Sequence, residues 1–536
     1  MTDLGIDLID AGQVPPLPGA FVEGRDLDLL APLGFATQAD AVPAPVLPPT
    51  AKVPDRRELA AALASANAGY GHTAAETMAA KLADPATRVV VTGQQPGLFG
   101  GPLYTLSKAV AAALWVERLE ASGNPAVAVF WVSTEDHDFR EVARATFFGR
   151  QGPESFDLGE DAEPLTPVGM RSFGPALGEL LDRLRQAGGG ERWDGWVETL
   201  AGWYRPDARF GEAFSRLLAH LLGERCPLLM DAMLPAVKSA ERPWLRRVVE
   251  LREEIDRAFV ERNEAITDRG YELQVRPQAG ASPLFVIHGR ARRRVEWRGA
   301  DRFTLRGADG FDEEVGWLLR AIDDNPSVVS PGVMARSAMQ DAILGTSVLV
   351  LGPGEVSYMP QVAPIYEQFG IVPPAVYARP QALVLAGREV DKLDSVGLDL
   401  GQLVAADLDL DRALAGGREQ DLTAPTRDRV SAALAELRTG ALALDPSLEG
   451  PWKKTSGQME KALDAFTGRV AAAVSRRNEV TRARAEDLRA ACRPQGALQE
   501  RVIATAHFPG KHGDRLVEAF FEQLTLDSRR LHIIQP

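Results

Sequence analysis

At 536 residues, with 45% apolar and 25% charged side chains, the chain is long enough for roughly two to four domains of ~150 residues and too apolar to be disordered overall. A net charge of −14 argues against a nucleic-acid backbone or an anionic membrane as the main partner. Cys226 and Cys492 stand far apart and form no CxxC pair; this excludes a zinc ribbon or a thioredoxin-like motif and suits two buried thiols in a reduced, cytoplasmic setting.

The N-terminus is acidic and lacks a basic segment followed by an apolar run, so no signal peptide is expected. No stretch approaches the ~18 apolar residues of a membrane span. Residues 1–54 carry Pro15, Pro16, Pro18, Pro32 and five further prolines up to Pro54. Proline removes backbone donors, so this segment reads as an extended arm over the surface and not as a folded unit. Residues 56–84 are Ala-rich, with Leu59, Leu63 and Met78, and read as helical.

Four apolar runs then read as strands covered on both faces: "RVVVTG" (88–93), "AVAVFWVS" (126–133), "CPLLMDA" (226–232) and "SVLVLG" (347–352). A helical stretch near 103–121 joins the first two, which makes a βαβ unit and implies a parallel sheet with a right-handed crossover. Residues 151–225 are too long for a simple crossover and read as an insertion. A second insertion carries residues 269–297, whose alternation and "PQAGASP" turn signal suggest a β-hairpin. Beyond about residue 385, Val430, Leu434, Leu437, Ala441 and Leu444 repeat at heptad spacing, as do Met459, Leu463, Phe466, Val470 and Ala473. Two such helices joined by "DPSLEGPW" form an antiparallel hairpin, either a short coiled coil or part of an ordinary bundle. The seam weakens at Arg477 and Arg484.

Three strand ends carry chemistry-bearing residues. In an open parallel sheet, ligands sit beyond the carboxyl ends of the strands, near helix N-termini. After the first strand come Gln94, Gln95, Gly97, Gly100 and Gly101, then Tyr104 at the start of the helix. The glycines let backbone approach a ligand and the amides donate and accept. The second strand ends in Glu135, Asp136, His137 and Asp138. A carboxylate beside His137 would raise its pKa and orient the ring, which suits proton transfer or amine binding. A helix-capping cluster, a solvated turn and a metal site are the alternatives, the metal disfavoured because adjacent residues seldom supply converging ligands. The fourth strand runs into "GPGEVSYMPQ", with Gly354, Glu355 and Tyr358; Arg336 and Gln340 lie upstream and Arg379 downstream. Arginine is the usual fork for carboxylate or phosphate. Arg292, Arg293 and Arg294 read as a solvated hairpin or an anion site, and His507 and His512 as a surface turn. G-x-S-x-G, H-E-x-x-H, G-x-G-x-x-G and Walker signatures are missing from the sequence.

Taken together, "VTGQQPGLFGGPLYT", "FWVSTEDHDF", "LLMDAMLPAVK", "LVLGPGEVSYMPQ" and "LQERV" strongly resemble the cysteine-adding enzyme family of bacillithiol biosynthesis. The resemblance implies an α/β fold, with a Rossmann-like parallel core over 55–390, connecting-peptide insertions near 151–225 and 240–325, a coiled-coil domain over 391–505 that pairs two subunits, and a segment 506–536 returning to the core. It implies a ligase joining L-cysteine to the glucosamine amine of glucosaminyl-malate, the last step of bacillithiol synthesis. Ser337 stands where the family pattern suggests proline and Gly100 where threonine is common. Amide formation needs an activated carboxylate, so ATP or another nucleotide is expected, although no Walker lysine marks its place; no metal is expected. The glycine-loop N–H groups and glutamines could stabilise an oxyanion. A synthetase-like nucleotidyl transferase for another small acid, or a non-catalytic ligand-binding scaffold, are the readings from other classes.

Overall fold

Valine and leucine runs without alternation form strands sealed on both faces, and they build the centre of this fold. The computed structural model describes residues 6–36, 54–415, 418–476 and 479–536. Its main sheet has six strands: β1 (Gly34–Ala36), β2 (Arg88–Gln94), β3 (Ala126–Val132), β4 (Leu228–Asp231), β5 (Thr346–Leu351) and β6 (Ala375–Ala378). The spatial order is β1-β6-β5-β2-β3-β4, and every neighbouring pair is parallel. Helix α1 (Tyr104–Ala121) makes the crossover from β2 to β3, and all seven residues of β3 are buried. The chain steps outward from β2 through β3 to β4, then resumes on the other side of β2 with β5. That reversal is the topological switch at which α/β sheets open a ligand crevice.

The first insertion is a hairpin (Arg144–Gly149 with Gly152–Asp157) and three helices around Phe147, Trp193, Tyr204 and Phe210. The second includes a five-stranded antiparallel sheet. Its hairpin pairs Ala281–His288 with Ala291–Arg298, so the turn lies at Gly289 and Arg290 and not at "PQAGASP". Both turn residues have positive φ (56° and 72°), the backbone a tight two-residue hairpin requires. Three helices that serve the site are α2 (Pro235–Glu250), α3 (Val333–Leu344) and α4 (Pro353–Phe369).

The expectation of an unfolded N-terminal arm fails over 6–36. Pro16 opens the helix Pro16–Val22, where a missing N–H costs nothing, and Leu17, Phe21 and Leu30 are buried in the core. β1 pairs with β6, and Ile6–Asp7 pairs with Arg530–Ile534. The prolines from Pro43 to Pro49 lie outside the described residues. His507 is no surface residue either. It is buried in the helix His507–His512, against the rings of Phe147, Phe148, Trp193 and Phe508. Both cysteines are buried and unpaired.

The chain divides into two compact units, Met1–Val384 with Gln499–Pro536, and Leu385–Leu498. The helical unit therefore ends before residue 505, because Gln499 and Glu500 hydrogen-bond the backbone of Val384 and Ala382 in the first unit. Within the second unit, helices Arg418–Leu444 and Glu449–Arg476 run antiparallel, with Arg427 on Asp464 and Arg438 on Glu449. Of the two heptad rows Leu434 is buried, whereas Leu437, Leu444, Met459 and Phe466 are 62%, 85%, 45% and 59% exposed. Arg484 is exposed and Arg477 lies outside the described residues. Among the described residues no helix is long and apolar enough to cross a membrane.

Candidate active site

The carboxyl ends of β2, β3, β5 and β6 open onto one cavity of about 760 Å³. Register brings the first two strand ends together: Gln94 pairs with Val132, and Ser133 N–H donates to Gln94 O at 3.0 Å. Of the residues singled out from sequence, Gln94, Gln95, Tyr104, Glu135, Asp136, His137, Arg336, Gly354, Glu355, Tyr358 and Arg379 line the cavity.

Five others do not. Gly97, Gly100 and Gly101 are packing residues. A Cβ on Gly97 would lie 2.8 Å from Gly101 Cα, and one on Gly100 (φ +87°) 2.6 Å from Leu217 and 3.1 Å from Thr505. Their N–H groups are spent on Gln95, Gly97 and Leu98 carbonyls, so they cannot serve as oxyanion donors. Asp138 is exposed and caps the short helix Phe139–Val142 by accepting from Glu141 N–H. Gln340 is buried and donates to Asp341.

The polar wall of the cavity is organised by residues the sequence reading passed over. Lys108, one turn into α1, is buried; its Nζ donates to Gly93 O (2.7 Å), Gln94 Oε1 (2.9 Å) and Glu355 Oε2 (2.5 Å). The same Glu355 oxygen accepts from Gly352 N–H at 2.7 Å. Burial pulls the Lys108 pKa down while Glu355 holds it up. Also in the lining, Gln95 Nε2 donates to Asp136 Oδ2 at 2.8 Å, leaving Gln95 Oε1 buried without a partner.

His137 behaves contrary to expectation. Its Nδ1 accepts from Arg292 Nη1 at 3.1 Å, and Asp136 stands farther away at 3.7 Å. Burial, then the Arg292 charge, lower its pKa, and together they outweigh Asp136 and Asp138. The ring is therefore neutral near pH 7, with its proton on Nε2. Arg292 itself is no solvated hairpin residue: it is buried, stacks on Phe285 at 3.9 Å and donates to Ser330 and Pro331. Arg294 and Arg501 also line the cavity.

The two strand-end arginines differ sharply. Arg336 is half-buried and meets Gln340 Oε1 and Tyr358 OH only at 3.5 Å, beyond useful hydrogen-bond length. Burial opposes its charge, but Tyr358, Glu355, Glu135 and Asp136 hold its pKa above the usual value. Arg379 is not the free fork expected. It is locked to Glu500 through two bonds, at 2.9 and 2.7 Å, and only Nε is left buried without a partner. Glu135 is likewise not a solvated strand-end acid; it is buried and bonded to Lys238 Nζ at 2.6 Å. Glu141, raised by burial and by Asp136 and Asp138, adds a further carboxyl to the cavity lining.

Such a cavity carries both signs: Asp136 and Glu141 can meet an ammonium, and Arg336 and Arg294 an anionic group, with Arg292 standing 3.9 Å from Asp136 between them. Lys108 is a buried cation at a helix start, a pattern hidden from Walker spacing because it follows the glycine loop inside the helix.

Comparison with known proteins gives a consistent result. The family model described as bacillithiol biosynthesis BshC, N-terminal Rossmann-like domain, matches residues 47–380, and that of the BshC C-terminal coiled-coil domain matches 383–535. A protein of Salinibacter ruber named "Putative cysteine ligase BshC" is 30% identical over 472 residues, covering 84% of each chain. Proteins with the same name from Chlorobium phaeobacteroides (29% over 501 residues, 89% of this chain and 88% of the relative) and Heliobacterium modesticaldum (30% over 484 residues, 85% and 84%) are similar to the same extent.

Proposed function

The chain belongs to the bacillithiol biosynthesis BshC family, and from that membership and the two-signed cavity we propose that it is a cysteine ligase. In this reading it joins the carboxyl of L-cysteine to the glucosamine amine of glucosaminyl-malate, the last step of bacillithiol synthesis, in the cytoplasm. The observation that carries it is one cavity holding both an acidic side, Asp136 and Glu141, and uncommitted cations led by Arg336. Cysteine and glucosaminyl-malate each bring an amine and at least one carboxylate, so both signs are needed.

The amide C–N bond forms as the amine nitrogen attacks the cysteine carbonyl carbon and the bond to the activating group breaks. ATP or another nucleotide would supply that activation. The buried, unpartnered Nε of Arg379 beside Gly352, together with Arg501, fits an anionic group, and these residues would hold its phosphates. Neutral His137 presents an Nε2 proton to the cavity and orients substrate or donates a hydrogen bond, while Arg292 fixes its ring. The test is to incubate the pure protein with cysteine, glucosaminyl-malate and ATP and to search for the thiol product by mass spectrometry. Absence of product with every nucleotide tried overturns the reading.

His137→Ala should lower product formation about a hundredfold, the lower end of what a positioned proton donor contributes, with the melting temperature unchanged. Turnover within threefold of wild type would remove His137 from the chemistry. Asp138→Asn should leave turnover near wild type, since that side chain caps a helix and does not reach the cavity.

The exposed heptad row supports pairing of two subunits through the C-terminal helices. Leu437, Leu444, Met459 and Phe466 present apolar surface that a second copy would cover. A Leu437→Glu, Phe466→Glu double variant is expected to sediment as a monomer with unchanged melting of its own helices. Wild-type protein sedimenting as a monomer, or a variant that stays dimeric, overturns this.

A further inference from the structure

Behind the cavity wall, three titratable side chains lie in a row. Glu135 lines the cavity, and its Oε2 accepts from Lys238 Nζ at 2.6 Å; Lys238 also donates to Glu241 Oε2 at 2.8 Å. Their side chains are 4%, 2% and 0% exposed. Lys238 and Glu241 stand one turn apart on α2, and no bulk water reaches them. Two carboxylates share one ammonium, with Arg336 and Arg292 as the further cations nearby, and burying such a set of charges costs stability. The second oxygens, Glu135 Oε1 and Glu241 Oε1, are both buried without a hydrogen-bond partner. So the row has one open acceptor at each end.

We propose that Glu135, Lys238 and Glu241 form a proton relay in which Glu241 receives the proton that the substrate ammonium must lose before its nitrogen attacks. The inference rests on the amide-forming reading of the cavity. The ammonium N–H bond breaks, its electron pair stays on nitrogen, and the proton goes to Glu135. Lys238 hands one proton to Glu241 Oε2 and takes that of Glu135. Glu241 ends as a neutral carboxyl, while Glu135 and Lys238 regain their starting charge. Burial pushes Glu241 up to about 7 against the pull of Lys238, so it can take and release a proton near neutrality. The charges facing it are Lys238 on its own helix, Glu135 from the end of β3, Arg336 from α3 and, farther off, Arg292 from the antiparallel sheet. Lys238 is held charged despite its burial by its two carboxylates. Lys238 and Glu241 act through Glu135 and are positioning residues.

The test uses the full chain in two arms. In the first, product formation from cysteine, glucosaminyl-malate and ATP is followed against pH for wild type, Glu241→Gln and Lys238→Arg. Glutamine keeps the shape of Glu241 but takes no proton; arginine keeps the cation but does not hand one on. Both variants should be slower by about a hundredfold at pH 7 and recover toward wild type at alkaline pH, where the amine arrives already neutral. The acid limb, near pH 7 in wild type, should move to alkaline pH in Glu241→Gln. A loss of the same factor at every pH, or no loss, overturns the relay. In the second arm, infrared spectra of the proteins without substrate are recorded across the same pH range. A buried carboxyl band that titrates near neutrality in wild type and is missing in Glu241→Gln supports the relay; its absence from wild type overturns it. If wild type forms no product at all, the ligase reading falls, and the infrared arm still decides whether Glu241 holds the proton.

Discussion

Arg336→Ala should lower kcat/KM for amide formation by about two to four decades, the loss of two charge-assisted hydrogen bonds at roughly 1.5–3 kcal/mol each, with about 1.4 kcal/mol per decade. Arg336 is a half-buried cation in the cavity wall whose polar contacts are both 3.5 Å long. A partly desolvated charge in a cavity wall, left without close partners, is poised for a ligand, because part of the desolvation has already been met in the folded state. Stability should change by no more than about 1 kcal/mol, since contacts of that length contribute little. Arg336→Lys should recover only part of the activity, because an ammonium lacks the planar fork that grips a carboxylate. Wild-type kinetics in Arg336→Ala, or a collapse of melting temperature alongside activity, would sink this assignment.

Glu500→Ala should act the other way, through folding. Glu500 and Arg379 are 0% and 3% exposed and share two short bonds, and Glu500 also accepts from Ala382 N–H at 3.0 Å. Removing the acid strands a buried guanidinium, which costs about 3–5 kcal/mol. The expected result is a melting temperature several degrees lower and a poorly soluble product. The double variant Glu500→Ala, Arg379→Met should be more stable than Glu500→Ala alone, because it also removes the stranded charge. If the double variant is less stable than the single one, the pair is not the source of the loss. Differential scanning calorimetry of the three proteins decides it. The contrast with Arg336 is physical. Both arginines follow strands or open helices beside the same cavity, but one has a carboxylate partner inside the protein and the other keeps its donors for a ligand.

What could be read from sequence is what short-range pattern encodes. The runs at 88–93, 126–133, 226–232 and 347–352 became neighbouring parallel strands, since a strand covered on both faces must be apolar at every position. Once β2, a helix and β3 were recognised, topology alone put Gln94, Asp136, His137 and Glu355 at one sheet edge, because parallel strands share their carboxyl ends. The heptad rows gave the long helices 418–444 and 449–476 for the same reason of period. The prolines of 6–36 misled, because proline is equally at home in a helix's first turn and on an edge.

Only the tertiary structure decided how charge is distributed. The partners of Glu135, Arg379 and His137 lie 103, 121 and 155 residues away in the chain, and no local pattern reports such distances. Without them His137 looked like an imidazole beside carboxylates; with Arg292 and burial it is a neutral ring. Lys108 was invisible as a site residue because a lysine in a helix is ordinarily solvated, and only the close approach of Gly93, Gln94 and Glu355 turns it inward. The glycines of the 97–101 loop proved to be packing residues for the converse reason: backbone freedom serves a close chain crossing as readily as a ligand, and sequence does not say which surface will arrive. Secondary structure follows from neighbours in sequence, whereas protonation and binding follow from neighbours in space, and a fold of long-range contacts is what connects the two.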